Sequence, residues 1–144
     1  MRVSQILKSK ADDAVVTTPP GTTIRDVTGM LAERKIGTVV ISADGQTASG
    51  ILSERDIVQQ LAAKGASILS EPVETYMTTK LITCSRDASA DAVLSMMTEK
   101  RFRHMPVVED GKLVGLITLG DVVKARLAEL TMEKDALEGM IMGY

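Results

Sequence analysis

The sequence has 144 residues, 44% of them hydrophobic and 25% charged, which suits one globular unit or two very small ones sharing a core and excludes a disordered chain. Lys plus Arg number 17 against 19 Asp plus Glu, a net charge of −2, and aromatic content is 2% (Tyr76, Phe102, Tyr144). A nucleic-acid partner is therefore disfavoured, for want of both cationic excess and stacking platforms, and the core must be aliphatic.

Self-similarity organises the chain. Ile36 to Ile41 corresponds to Phe102 to Val107 at an offset of 66, which also relates Val15-Val16-Thr17 to Leu81-Ile82-Thr83, Val27 to Val93 and Met30 to Met96. After the hairpin the offset becomes 65, pairing Gly50-Ile51-Leu52-Ser53 with Gly115-Leu116-Ile117-Thr118 and Asp56-Ile57-Val58 with Asp121-Val122-Val123. Upstream, Val3 to Leu7 matches Val73 to Met77 at an offset of 70. The expected divisions are residues 1–68, 69–127 and a helical extension over 128–144.

In copy one a short lead helix over Val3 to Leu7 precedes a strand from Ala14 to Thr17, closed by the breakers Pro19-Pro20-Gly21. Thr23 with Asp26 three residues later marks a helix start, and Ile24, Val27 and Leu31 form its buried stripe, which Gly37 is expected to end. Thr38 to Ser42, the turn residues Ala43-Asp44-Gly45, and Gly50 to Leu52 make a hairpin. Copy two repeats this with a strand over Leu81 to Thr83, a stripe of Ala90, Val93, Met96 and Met97, a strand from Met105 to Val108, a turn over Glu109 to Lys112, and a strand from Leu113 to Ile117. The methionines are read as gap-filling core. The final helix carries Val123, Leu127, Leu130, Leu137 and Ile141 as a short heptad-like seam suited to a second chain, so a homodimer is expected.

Chemistry concentrates at two strand-to-helix junctions. Ser53 with Asp56, and Thr118 with Asp121, have the spacing of helix caps. The same groups could serve a ligand, because helix-start amides and a hydroxyl attract an anion while a carboxylate accepts from sugar hydroxyls. Spacing leaves both readings open. His104, the only histidine, lacks a nucleophile in a known motif or a second histidine for a metal. No phosphate-cradling or dinucleotide glycine fingerprint occurs, so an enzyme is not expected. The lone cysteine, Cys84, excludes an internal disulfide framework and reads as a buried small residue. With no apolar run near ~18 residues and no signal-like h-region after Met1, a cytoplasmic protein away from membranes is expected.

The order and spacing of the two copies, with Met105-Pro106-Val107-Val108 before a turn where copy one has Val39-Val40-Ile41-Ser42, and Gly-hydrophobic-hydrophobic-Ser/Thr-x-x-Asp after it in both, resemble a tandem pair of CBS domains, the Bateman module, over roughly residues 1 to 127. The resemblance implies an α/β (α+β) fold of two β-α-β-β-α units about a pseudo-twofold axis, often dimerised into a disc. It also implies a regulatory role without an obligatory cofactor, with AMP, ADP, ATP, NAD(H) or S-adenosylmethionine bound in clefts between the units, and an unidentified protein target. By motif position, Asp56 and Asp121 would hold ribose hydroxyls, and Ser53 and Thr118 ribose or phosphate. Thr17 and Thr83 would line the adenine and ribose pocket, with Thr38 and His104 beside it. Arg55 stands where copy two has Gly120, and Arg103-His104-Met105-Pro106 stand where copy one has Gly37-Thr38-Val39-Val40, so the clefts should be unequal, with Arg55 and Arg103 near phosphate. A ligand-free interaction scaffold is the competing reading.

Overall fold

A computed structural model describes residues 1–10 and 15–143. The elements are α1 (Val3–Ser9), β1 (Thr17–Thr18), α2 (Ile24–Arg34), β2 (Thr38–Ile41), β3 (Gly50–Ser53), α3 (Glu54–Lys64), two 3-10 turns (Ala66–Ser70 and Val73–Thr75), α4 (Ala90–Lys100), β4 (His104–Glu109), β5 (Lys112–Thr118) and α5 (Leu119–Ile141). In the first unit β1 runs parallel to β2 and β2 antiparallel to β3; in the second, β4 and β5 form an antiparallel hairpin. The mixed helix and strand architecture expected from the repeat is present in both halves.

The offset of 66 is visible in three dimensions. Ile24, Val27 and Leu31 are buried in α2, and Ala90, Val93 and Met97 occupy the equivalent positions of α4. Each stripe packs on a β-branched sheet face: Val39, Ile41 and Leu52 in one core, Met105, Val107 and Ile117 in the other. The Glu109-to-Lys112 turn places Asp110 and Gly111 at positive φ (51° and 76°), the conformation a two-residue hairpin needs to match strand twist.

Three local expectations are corrected. The first strand is Thr17–Thr18, one register later than Ala14 to Thr17, and Ala14 lies outside the described residues. Its counterpart is reduced to a single parallel bridge between Cys84 and Val107, in place of a strand over Leu81 to Thr83; the equivalent pair in copy one is Thr18 and Ile41. Helix α2 stops before Gly37, because Lys35 takes the left-handed conformation (φ 54°) and the Ile36 amide closes on the Leu31 carbonyl at 3.1 Å. Arg101 (φ 57°) does the same after α4. A cation at each helix C-terminus complements the dipole there.

The lead segments are exchanged. Val3, Ile6 and Leu7 lie in the core of the second unit, whereas Val73, Tyr76 and Met77, their counterparts at offset 70, pack with the first. Equivalent backbone bonds hold both: Val3 N–H to Ala88 O (2.9 Å) and Ala90 N–H to Met1 O (2.8 Å), against Val73 N–H to Thr22 O (2.8 Å) and Ile24 N–H to Glu71 O (2.9 Å). A division at residue 68 thus falls between Ile68 and Val73, which share one core. Two glycines make room for these segments: a Cβ on Gly115 would meet both Leu7 methyls at 2.9 Å, and one on Gly50 would run into Met77.

Helix α5 runs unbroken for 23 residues, ~34 Å at 1.5 Å per residue. Only Val122 and Ala125 are buried. The seam residues Val123, Leu127, Leu130, Leu137 and Ile141 face solvent, as does Val58 on α3, the equivalent of Val123.

Candidate functional site

Both strand-to-helix junctions form complete capping boxes. Asp56 Oδ2 accepts from the Ser53 amide at 2.9 Å, and Ser53 Oγ accepts from the Asp56 amide at 3.2 Å. Asp121 Oδ2 and Thr118 Oγ1 repeat the pattern at 2.9 and 3.1 Å. The capping role is therefore real, and each box still leaves carboxylate lone pairs directed at no described donor.

Two clefts flank the pseudo-twofold axis. The first, about 380 Å³, is lined by Gly37, Thr38, Ile51, Ser53, Glu54, Arg55, Asp56, Thr78, Lys80, Leu81, Ile82 and the run from Lys100 through His104, with Pro106. The second, about 630 Å³, is lined by Lys10, Val15, Val16, the run from Arg34 through Thr38, His104, Leu116 and Thr118. Both volumes lie in the ~300–1,000 Å³ range of small-molecule sites. The linings match through the repeat, Arg34 to Thr38 answering Lys100 to His104, and Val15-Val16 answering Leu81-Ile82. Gly37, Thr38 and His104 belong to both and form the shared wall.

The first cleft gathers Thr38, Ser53, Arg55, Asp56, Arg103, His104 and Pro106 from the expected set, and the second gathers Thr38, His104 and Thr118. Thr17 and Thr83 line neither; the aliphatic residues one and two positions earlier, Val15-Val16 and Leu81-Ile82, do so in their place. Asp121 is not in the lining of the second cleft, since it pairs with Lys10 at 2.9 Å. Sequence reasoning passed over Lys10, Lys80, Arg34, Lys35 and Lys100. The repeat carried their signal, as Arg34-Lys35 aligns with Lys100-Arg101 at offset 66, and Lys10 with Lys80 at the lead-segment offset of 70.

Charge is concentrated here in a chain of net charge −2. Five cations (Arg55, Lys80, Lys100, Arg101, Arg103) face two carboxylates (Glu54, Asp56) in the first cleft, and among the described residues none of these seven makes an ion pair. Three cations and no carboxylate line the second. Burial pushes the pKa of His104 below its ordinary value; Glu54 and Asp121 oppose this, while Lys10 and Arg103 add to it, so the imidazole is neutral at pH 7. Burial raises the Asp121 carboxyl, but the Thr118 amide and Lys10 outweigh it and hold its pKa below the usual range. Cys84 is pushed up to about 11 by burial and by Glu109, which leaves it a thiol. Thr38 is 4% exposed and its Oγ1 has no hydrogen-bond partner among the described residues, a polar atom left over at the shared wall.

The arrangement can hold a molecule with a flat apolar part, a diol and an anionic group. Ile51, Leu81, Ile82 and Pro106 supply the apolar wall, Asp56 an acceptor for hydroxyls, and the cations an anion site. Among the described residues, no helix is long and apolar enough to cross a membrane.

The family model for the CBS domain matches residues 3–63 and 73–128. The CBS domain-containing protein CBSX3, mitochondrial, of Arabidopsis thaliana is 31% identical over 148 residues, covering 98% of this chain and 72% of its own length. A crystal structure of a CBS-domain-containing protein from Agrobacterium tumefaciens superposes with a TM-score of 0.83 at 40% identity, covering 88% of this chain and 99% of that one. A crystal structure of CBSX2 in complex with AMP superposes with a TM-score of 0.71 at 27% identity, covering 88% of this chain and 96% of that one.

Proposed function

We propose, from the premise that this chain belongs to the CBS-domain family, that it is a non-catalytic regulatory module that binds an adenosine-containing nucleotide between its two units and signals by a change of geometry. One observation carries the reading: the first cleft unites Asp56, a carboxylate with no ion pair among the described residues, with five cations and an aliphatic wall. Asp56 takes the ribose hydroxyls, with Ser53 beside it; Arg55 and Arg103 take phosphate; Ile51, Ile82 and Pro106 cover the base. AMP, ADP, ATP and NADH share these features, and the AMP complex of the 27% identical CBSX2 supports the assignment. The exposed seam of α5 is read as a homodimer contact, through which altered cleft geometry reaches a protein target in the cytoplasm.

Titration with AMP, ATP, NADH and S-adenosylmethionine tests this. Saturable heat and a rise in melting temperature with at least one of them are expected; the absence of both for all four overturns it. A ligand-free scaffold has one observation in its favour, the completeness of both capping boxes without ligand. Purified protein that releases no 260 nm-absorbing nucleotide on denaturation and binds none of the four would establish the scaffold instead.

A further inference from the structure

We propose that Lys10 is a built-in competitor for Asp121, the counterpart of Asp56 that it screens from the second cleft, so that nucleotide fills the Asp56 cleft first and the second cleft only when this lysine lets go. The inference rests on the nucleotide reading and adds an order of filling and the residue that sets it.

The two carboxylates are equivalent in the repeat but not in their partners. Among the described residues Asp56 Oδ2 accepts only from the Ser53 amide, whereas Asp121 Oδ2 is shared between the Thr118 amide and the Lys10 ammonium, each at 2.9 Å. Lys10 Nζ also donates to the Leu116 carbonyl at 3.0 Å, so two protein acceptors hold it inside the cleft it lines. Its reach is fixed by α1, whose Val3, Ile6 and Leu7 are anchored in the second core. The counterpart, Lys80, lines the first cleft and forms no ion pair among the described residues. A ribose diol engages a carboxylate; at Asp56, which lines the first cleft, it meets no ammonium among the described residues, and at Asp121 it must displace one.

The second cleft is otherwise equipped. It has the larger volume, carries Arg34 and Lys35 for an anionic group, and shares Thr38, whose buried hydroxyl lacks a partner among the described residues. Besides its fewer cations, what sets the second cleft apart is the occupied carboxylate.

Isothermal titration of the full chain with AMP tests the order. Wild type is expected to bind one equivalent, followed by a second event at least tenfold weaker. Lys10→Met should bring the second event to within about threefold of the first, and Lys10→Gln should do the same if Met disturbs packing. Lys10→Arg, which keeps the cation, should behave as wild type. In an Asp56→Asn background, where only the second cleft binds well, Lys10→Met should tighten AMP roughly tenfold. Two equal events in wild type overturn the proposal, as does a Lys10→Met second event that is unchanged or weaker; the latter would make Lys10 a ligand contact. AMP taken up by neither wild type nor variants overturns the nucleotide reading itself, a separate failure.

Discussion

Asp56→Asn separates the structural and ligand-binding roles of one residue. The amide oxygen of Asn can still accept from the Ser53 amide now bonded at 2.9 Å, so the cap geometry survives and only the charge at the α3 N-terminus is lost. That costs ~0.5–1 kcal/mol of stability. For the ligand the loss is larger, because charge-assisted bonds to two ribose hydroxyls become neutral ones, weakening binding about 100-fold. At a concentration 100 times the wild-type Kd, a ligand stabilises the fold by ~2.7 kcal/mol; with Kd raised 100-fold the gain falls to ~0.4 kcal/mol. At ~2–4 °C per kcal/mol for a chain of this size, a ligand-induced shift of roughly 5–11 °C should shrink to about 1–2 °C, while the basal Tm drops by no more than ~4 °C. Differential scanning fluorimetry with and without AMP reads both numbers. An unchanged ligand-induced shift would refute the ribose role; a basal loss above ~2 kcal/mol would refute the claim that the cap survives.

Three further outcomes follow from the geometry. Gly115→Ala forces a methyl to 2.9 Å from both Leu7 methyls and should cost ~1–3 kcal/mol in urea unfolding; Leu7→Ala in the same chain should relieve part of that cost, so the two changes will be non-additive. His104, the only histidine, has a folded-state pKa below its ordinary 6.5, so the unfolded chain binds more protons as pH falls past 6.5. Stability should therefore decline from pH 7.5 toward the folded pKa, and His104→Gln should flatten the urea midpoint across that window. Leu127→Glu combined with Leu130→Glu should convert a dimer to a monomer by light scattering with the fold retained; a wild type that is already monomeric at tens of micromolar would refute the α5 contact.

Much of this was legible because duplication prints the same physics twice. The stripe of α2 and its copy in α4 were readable from helical spacing, and both capping boxes from Ser53, Asp56, Thr118 and Asp121 alone. The helix stop was hidden because Lys35 and Arg101 adopt a backbone conformation usually marked by glycine, so Gly37 drew the assignment. The strand at Leu81 was overestimated because Ile82 and Thr83, though β-branched, pair with no strand, and only the Cys84 bridge remains. In the site, the acids and hydroxyls were found through their spacing. Of the facing cations only Arg55 and Arg103 were, because Arg34, Lys35 and Lys100 close helices and look like an ordinary solvated face until the two units meet. The exchange of lead segments had a trace in the offset of 70 against 66, but which core a short apolar segment enters depends on tertiary geometry that no local pattern encodes.

That exchange bears on what a half of this chain could do alone. Residues 71–128 made separately would keep Val73, Tyr76 and Met77 but lack the Val3, Ile6 and Leu7 that fill their own socket. The empty socket and the loose plug fit one another, so two such fragments would clasp reciprocally, each lending the other its missing piece. The full chain is that handshake carried out within a single polypeptide, and severing the connection between its halves should leave them still holding on.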